Sequence, residues 1–173
     1  MAAMHSLNRE ATLRRRIRLL VWFFIVGLVI SGLTAIPLQW ELNLGAQLLG
    51  GDEAAVTSGL VRWVVLVRDG LNDTYAKYPF IAYGTDWLAF GHLMIAVVFV
   101  GALRDPKRNV WLFDFGIIAC VLVVPFALIF GGVRGIPFYW RLIDCSFGVF
   151  GIIPLWLCRK WVRELGESES GNR

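Results

Sequence analysis

A small set of ionisable residues lies inside long apolar stretches of this sequence, where a charge is costly and needs a partner or a purpose. His92 interrupts the apolar residues 87–103, and Asp144 follows Arg141 by three positions within residues 138–158. On a helix, that spacing lets Arg141 reach Asp144. A carboxylate and an imidazole can exchange protons with a substrate, and an arginine can hold an anionic group. The alternative is that Arg141 neutralises Asp144, that His92 donates to a backbone or hydroxyl acceptor, and that all three only fix helix register.

Asp114 is a further carboxylate of this kind, about one turn into the apolar residues 110–130. The N-terminus of a helix and the neighbouring basic residues 104–108 both favour a negative charge there. We therefore interpret Asp114 as a structural anion near a membrane interface.

The elements that must position these residues follow from the composition. Of the 173 residues, 57% are hydrophobic and 17% are charged, and the charges fall between long apolar runs. This balance excludes a soluble globular protein and predicts an all-α integral membrane protein. A bilayer core about 30 Å thick needs roughly 20 apolar residues in a helix. Four segments meet that requirement, namely residues 19–38, 87–103, 110–130 and 138–158.

The basic residues give these four spans an orientation. The N-terminal tail (1–18), the turn after the second span (104–109) and the C-terminal tail (159–173) hold five, three and four lysines or arginines, against five elsewhere. Because cytoplasmic segments carry the excess of positive charge, both termini should be cytoplasmic. Short connections then predict an antiparallel bundle. The small size and basic ends favour a bacterial inner membrane, and the last residues, 167–173, should be disordered.

Residues 39–86 form the one long connection, which should lie outside and contain an amphipathic helix at about residues 53–71. Asp52 can cap the N-terminus of that helix. Its apolar face consists of Leu60, Val64, Val67 and Leu71. Such a helix lies flat on the outer membrane surface, and the aromatic residues among 75–87 then lead the chain back into the bilayer.

His92 and Asp144 each lie one to two turns below the outer surface in this orientation, and therefore at similar depth. Charged and aromatic residues at the outer ends of the spans surround them. The sequence thus predicts a polar site on the outward half of the bundle, suited to an amphipathic ligand or to a polar group of a partner. The candidate binding residues are Trp40, Tyr83, Asp86, His92, Arg134, Trp140, Arg141 and Asp144.

No complete catalytic or cofactor set accompanies this site. A membrane haem normally needs two axial ligands, and the only histidines are His92 and His5, which lies in the cytoplasmic tail. No ligand spacing supports zinc, and no nucleophile-elbow, Walker or dinucleotide motif is present. We therefore expect no metal, and no cofactor bound by this chain alone. The basic clusters adjoin apolar runs, which argues against nucleic acid as a partner.

Small residues at four-residue spacing predict close approach between the spans. Gly27, Ser31 and Ala35 follow this spacing on the first span, and Gly116 and Cys120 follow it on the third. The corresponding face of the fourth span consists of Asp144, Gly148, Gly151 and Leu155. This pattern predicts a packed bundle and carries no information about chemistry.

In length, number of spans and outward amphipathic segment, the chain resembles the lipoprotein signal peptidases, which use two intramembrane aspartates. Asp144 occupies the position of the aspartate on their fourth span. The resemblance implies an aspartyl pair, but residues 130–135 contain no aspartate and the asparagine-containing motifs of that family are absent. Asp86, at the mouth of the second span, would have to supply the second carboxylate. The likeness is therefore one of topology.

Two functions from different classes remain open. One is a non-catalytic protein, either an accessory subunit of a larger membrane complex or a binder of an amphipathic ligand at its outward face. The alternative is an intramembrane enzyme acting on a lipid or membrane-embedded substrate, with Asp144 and His92 as its catalytic residues. A catalytic His92 would impose a titration near neutrality. A transporter is disfavoured, because four spans are few and no internal repeat is visible.

Overall fold

The computed structural model describes residues 2–56 and 58–170, and within them the side chains of residues 8–56 and 58–166. Every regular element in this described part is helical. The α-helices are α1 (Ala2–Ala35), α2 (Leu38–Leu48), α3 (Gly51–Ala55), α4 (Gly59–Lys77), α5 (Tyr83–Arg104), α6 (Val110–Val133) and α7 (Phe138–Ser170), and a 3₁₀ helix at Pro79–Ala82 precedes α5.

Within the described residues, four helical stretches are long and apolar enough to cross a membrane, which confirms the number of candidate spans. They are Asn8–Ala35, Pro79–Arg104, Val110–Val133 and Phe138–Gly166. The last three contain the predicted spans in full. The first helix ends three residues earlier than predicted, at Ala35, because Ile36 precedes Pro37 and a residue before proline is disfavoured in the helical conformation.

The two terminal helices extend well beyond the predicted spans, into the basic tails. α1 begins at Ala2, and α7 continues to Ser170. Helical hydrogen bonds do not depend on a membrane boundary, and the arginines, leucines and glutamates of these tails are good helix formers. The tail expected to be disordered is therefore helical as far as Ser170, and residues 171–173 lie outside the described part.

The chain consists of two compact units. Unit 1 comprises Met1–Gly27 and Ala96–Arg173, and unit 2 comprises Leu28–Ile95. The core of unit 1 includes one face of α1, where apolar side chains recur at every fourth position. Buried residues of this core include Leu13, Ile17, Val21, Ile25, Phe99, Leu112, Phe113, Leu155 and Leu165.

Within unit 1, α6 and α7 pack together at the small residues that the sequence predicts. A Cβ atom added to Gly116 would lie 2.8 Å from Cδ1 of Leu155, and one added to Gly151 would lie 2.8 Å from Sγ of Cys120. A Cβ on Gly148 would collide with the carbonyl oxygen of Cys120. The small-residue prediction for these two helices is therefore confirmed.

The corresponding prediction for α1 is wrong. Gly27 and Ser31 are exposed, and nothing lies within 4 Å of a Cβ atom placed on Gly27. In unit 2, α1 instead approaches α5 at Gly32, where an added Cβ would lie 3.0 Å from both the carbonyl oxygen of Ala89 and Cβ of His92. Small residues on one helix permit contact on more than one face, and the partner helix selects the face that is used.

The amphipathic helix of unit 2 begins later than predicted. Its N-cap is Ser58, whose hydroxyl oxygen accepts a hydrogen bond from the Val61 amide at 3.4 Å, and α4 runs from there to Lys77. Asp52 belongs instead to the separate short helix α3, which follows Gly50 and begins at Gly51, both of which have a positive φ. Ser is as good a cap as Asp, and these two glycines favour a turn before Asp52.

The apolar face of α4 is shifted by one residue at its start. Val61 and Val64 are buried, whereas Leu60, predicted to face inward, is 43% exposed. The remaining predicted positions, Val67 and Leu71, are half-buried. The inward face therefore runs through Val61, Val64, Val67 and Leu71 with a helical period.

The sequence did not predict α2, because polar residues interrupt its apolar run. Two of these polar residues turn toward α4 in unit 2. Gln39 Nε2 donates to Oδ1 of Asn72 at 2.8 Å, and Asn72 Nδ2 donates to Oδ1 of Asn43 at 3.0 Å. These amide hydrogen bonds satisfy polar groups between the two helices.

Candidate functional site

Asp144 lies on α7 near the end of the α6–α7 pair that carries the connecting residues 134–137, which we call the turn end. It is six residues into α7, or about 9 Å along the helix axis. The half-buried carboxylate lines a cavity of about 460 Å³ that is otherwise largely apolar. The other lining residues are Ala119, Leu122, Val123, Phe126, Ala127, Phe130, Gly131, Arg134 and Ile136. We call this cavity the turn-end groove.

Arg141 does not pair with Asp144, although the sequence predicts that it can. Its Nη1 atom donates to the carbonyl oxygen of Leu128 at 3.3 Å, and its guanidinium carbon lies 5.4 Å from the ring centroid of Phe138. The nearby C-terminal end of α6 attracts a cation, because helix carbonyls carry partial negative charge there. Arg141 therefore turns toward the backbone of α6 and away from Asp144.

Two adjacent glycines give Arg141 the room for this position. A Cβ atom on Gly131 would lie 2.6 Å from both Cγ and Cδ of Arg141, and a Cβ on Gly132 would lie 3.1 Å from Nη1. The Nε atom of Arg141 is buried and has no hydrogen-bond partner in the described part of the chain. The space beside the two glycines and the α6 carbonyl thus hold the guanidinium in place, and its Nε donor stays unsatisfied.

The carboxylate of Asp144 consequently forms no hydrogen bond or ion pair with any described residue. Arg134, which caps the C-terminus of α6 and is exposed at the groove, likewise has no side-chain partner among the described residues. Both side chains line the same groove. The turn-end groove therefore combines an apolar wall with two charged groups whose hydrogen-bonding capacity is unused within the described chain.

The other end of the same helix pair is different. Asp114, near the start of α6, pairs with Nε of Arg159 on α7. The sequence places Asp114 beside the basic residues 104–108, but its observed partner comes from the C-terminal cluster. Arg159 follows Leu155 by four residues, on the face of α7 that packs against α6, and this spacing was the available signal.

Further contacts bring the tails of unit 1 together at this end, which we call the basic end. Arg9 lies 3.5 Å from Glu164, and the guanidinium of Arg16 lies 5.9 Å from the ring of Trp161. Lys107 Nζ donates to the carbonyl oxygen of Leu165 at 3.0 Å. The N-terminal tail, the α5–α6 turn and the C-terminal tail thus all meet here.

Four of the predicted site residues lie in unit 2. The Nδ1 atom of His92 lies 2.8 Å from the carbonyl oxygen of Leu88, so this nitrogen carries the proton and donates. Tyr83 and Asp86 line a second, smaller cavity of about 220 Å³, together with Trp87 and Phe90. Trp40 is exposed on α2. The backbone hydrogen bond of His92 agrees with its structural interpretation.

The eight predicted site residues therefore fall into separate groups. The structure places Arg134 and Asp144 in one groove of unit 1, and Tyr83 and Asp86 in one cavity of unit 2. The remaining unit 1 residues, Trp140 and Arg141, lie in the first turn of α7 and do not line the groove. Among the described residues, no three or more His, Cys, Asp or Glu side chains are grouped so as to hold a metal ion.

Comparison with protein-family models, curated proteins and solved structures finds no match for this chain. The function is therefore inferred from the residues of the chain itself.

Proposed function

We propose that the chain is a multi-pass membrane protein whose spans form an antiparallel bundle with both termini in the cytoplasm. The apolar helical stretches of membrane length support this placement. The meeting of three basic segments at one end of unit 1 supports the orientation, because positive charge marks the cytoplasmic side. In this arrangement the turn end faces outward in a bacterial inner membrane, and α4 lies on the outer surface.

Within that placement, we propose that the protein is a non-catalytic binder of an amphipathic molecule at the turn-end groove. The observation that carries this proposal is the carboxylate of Asp144, which lines the groove and has no partner among the described residues. An ionisable group within a membrane costs several kcal/mol unless it is paired, and residues of this kind are functional candidates by default. A bound molecule that donates a hydrogen bond to Asp144 removes this cost.

The lining of the groove specifies the chemistry of such a molecule. Leu122, Phe126 and Phe130 offer an apolar wall on α6, which suits a hydrocarbon or ring system. Asp144 requires a hydroxyl, amide or amine donor, and Arg134 accommodates an acceptor or anionic group. A cavity of about 460 Å³ has the size of a small-molecule site. The ligand class is therefore an apolar body with a small polar head.

A second candidate function is that of an accessory subunit packed against another membrane protein. The observation that favours it is the exposure of Gly27 and Ser31 on α1. Small residues left exposed on a span permit close approach by a helix from another chain. In this case, the polar group facing Asp144 comes from the partner.

Native mass spectrometry of the protein, extracted in mild detergent from the membrane that makes it, tests both candidates. A ligand binder retains a stoichiometric small molecule, whereas an accessory subunit arrives within a larger assembly. Asp144→Asn should lower the amount of retained ligand by about tenfold, because one charge-assisted hydrogen bond is lost. Asp73→Asn, the same change at an exposed position of α4, should leave it unchanged.

A matched pair of phenylalanines tests the apolar wall. Phe126 lines the groove, whereas Phe147 on α7 does not, and both are well exposed. Phe126→Ala should weaken retention and Phe147→Ala should not. Equal retention in all four variants would overturn the groove proposal. A turnover that is lost with His92→Ala and titrates near neutrality would support the intramembrane enzyme instead.

A further inference from the structure

The basic end of unit 1 contains a cavity that the turn-end groove does not involve. It measures about 260 Å³, and its described lining residues all belong to α7, namely Trp156, Arg159, Lys160, Arg163 and Glu164. We infer that this cavity binds the phosphate headgroup of an anionic phospholipid. This inference rests on the proposed membrane placement but not on the proposed ligand of Asp144.

The charges of the cavity leave a net positive surface. The guanidinium of Arg159 forms an ion pair with Asp114, and the carboxylate of Glu164 lies 3.5 Å from Arg9. Lys160 and Arg163 are exposed, and neither forms an ion pair with a described residue. Two cations therefore remain to face a ligand. Arginine and lysine are the side chains that bind phosphate oxygens.

The position of these cations along α7 matches that of a phospholipid headgroup. Trp156 lies near the end of the apolar part of α7, and the ammonium of Lys160 lies 5.8 Å from its ring centroid. Lys160 and Arg163 follow Trp156 on one helix face, about 6 and 10 Å farther along the axis. A tryptophan followed by basic residues is the pattern of a membrane–water interface.

An apolar surface continues from the cavity toward the middle of α7. Ile153 and Trp156 are 54% and 52% exposed and lie one turn apart. An acyl chain can follow this surface while the phosphate lies between Lys160 and Arg163. A free phosphate ion would use only the cations, so the apolar continuation favours a lipid as the source of the phosphate.

Lipid titration of the purified, delipidated full chain in mild detergent tests this site by native mass spectrometry. Phosphatidylglycerol should bind about tenfold more tightly than phosphatidylcholine, and the double variant Lys160→Gln/Arg163→Gln should lose about that factor. The exchanged variant Lys160→Arg/Arg163→Lys should keep the preference, which separates loss of charge from loss of fold. Asp144→Asn should bind phosphatidylglycerol like the wild type, so the two proposals fail independently.

The control removes the same charge near the same end. Arg15 and Arg18 are exposed on α1 and do not line the cavity. Arg15→Gln/Arg18→Gln should change phosphatidylglycerol binding by less than about twofold. Equal loss in the two glutamine variants, or equal binding of both lipids, would overturn the site. Displacement of the lipid by excess inorganic phosphate would assign the cavity to a free anion and overturn the lipid assignment.

Discussion

The two ends of the α6–α7 pair differ in whether their aspartate has an ion-pair partner. At the basic end, Asp114 pairs with Arg159, which lies 45 residues away in the sequence. At the turn end, Asp144 has no partner among the described residues, although Arg141 is only three residues away. A nearby cation in the sequence thus does not ensure an ion pair, and the acid that remains unpaired is the better candidate for binding another molecule.

The difference has a local steric cause. Gly131 and Gly132 leave space on α6 that the side chain of Arg141 occupies, and the carbonyl oxygen of Leu128 receives its Nη1 atom. Arg159 lies one turn beyond Leu155 on the packed face of α7, and this position directs it toward Asp114. Missing side chains on one helix therefore decide where a charge on the other helix goes.

The largest expected effect on stability concerns the close contact between α6 and α7 at Gly148. Gly148→Ala should lower the free energy of unfolding by about 2–3 kcal/mol, because the new Cβ meets the backbone carbonyl of Cys120, which cannot rotate away. Unfolding in mixed detergent micelles measures this change. Gly91→Ala on α5 is the control, since nothing lies within 4 Å of its Cβ, and it should be neutral or stabilising. Equal effects would show that the close α6–α7 contact is not structural.

The same substitution at Asp114 and at Asp144 tests whether the two aspartates differ in their contribution to stability. Asp114→Asn should lower the free energy of unfolding by about 1–2 kcal/mol, less than for a fully buried pair because both side chains are partly exposed. Asp144→Asn should change it by less than about 0.5 kcal/mol or raise it, since no described partner is lost. Asp114→Asn/Arg159→Gln should be less destabilised than Asp114→Asn alone. A larger loss at Asp144 than at Asp114 would reverse the comparison.

The steric explanation is tested by the two neighbouring glycines. Gly131→Ala should cost about 1 kcal/mol, because its Cβ overlaps the middle of the Arg141 side chain. Gly132→Ala should cost less, because its Cβ meets only the guanidinium end, which can shift. An Arg141 displaced from α6 becomes available to Asp144, so Gly131→Ala should also reduce ligand retention. Unchanged retention together with unchanged stability would contradict the steric explanation.

The smallest effect is expected for an exposed ion-pair cluster in unit 2. Arg68 donates to Asp52 and Asp69 at 2.9 and 2.8 Å, and these two carboxylates are well exposed. Arg68→Gln should lower the free energy of unfolding by about 0.5 kcal/mol, and the difference from wild type should shrink in high salt. A salt-independent loss above about 2 kcal/mol would assign Arg68 a packing role instead.

The pH dependence of this cluster has a definite sign. Hydrogen bonds to Asp69 and then to Asp52 raise the pKa of Arg68 above its ordinary value. A raised pKa of a cation stabilises the folded state fully below the ordinary value, and this contribution is lost only as the pH rises through the folded-state value. That window lies above any working pH. Titration of stability across the neutral range should therefore show no step from Arg68.

Local properties of the sequence determined the candidate spans and part of their packing. Hydropathy over about 20 residues is a property of contiguous chain, and it located the four helices of membrane length found among the described residues. The periodic small residues of α6 and α7 likewise predicted their contact, because each lies on a face that helical geometry defines. The N-cap of α4 was predicted less well, since Asp52 and Ser58 have similar capping ability and only the turn at Gly50 and Gly51 separates them.

Only the tertiary structure decided which groups meet across helices. Asp114 pairs with Arg159, Asn72 forms hydrogen bonds with the side-chain amides of α2, and Arg141 donates to a backbone carbonyl of α6. The sequence names the candidates for each contact, but the choice depends on the space left by residues far away in the chain, such as Gly131 beside Arg141. Packing between residues that are far apart in the sequence settles side-chain pairing between helices, and no local pattern encodes it. For this reason the sequence did not predict that Asp144 lacks a partner among the described residues.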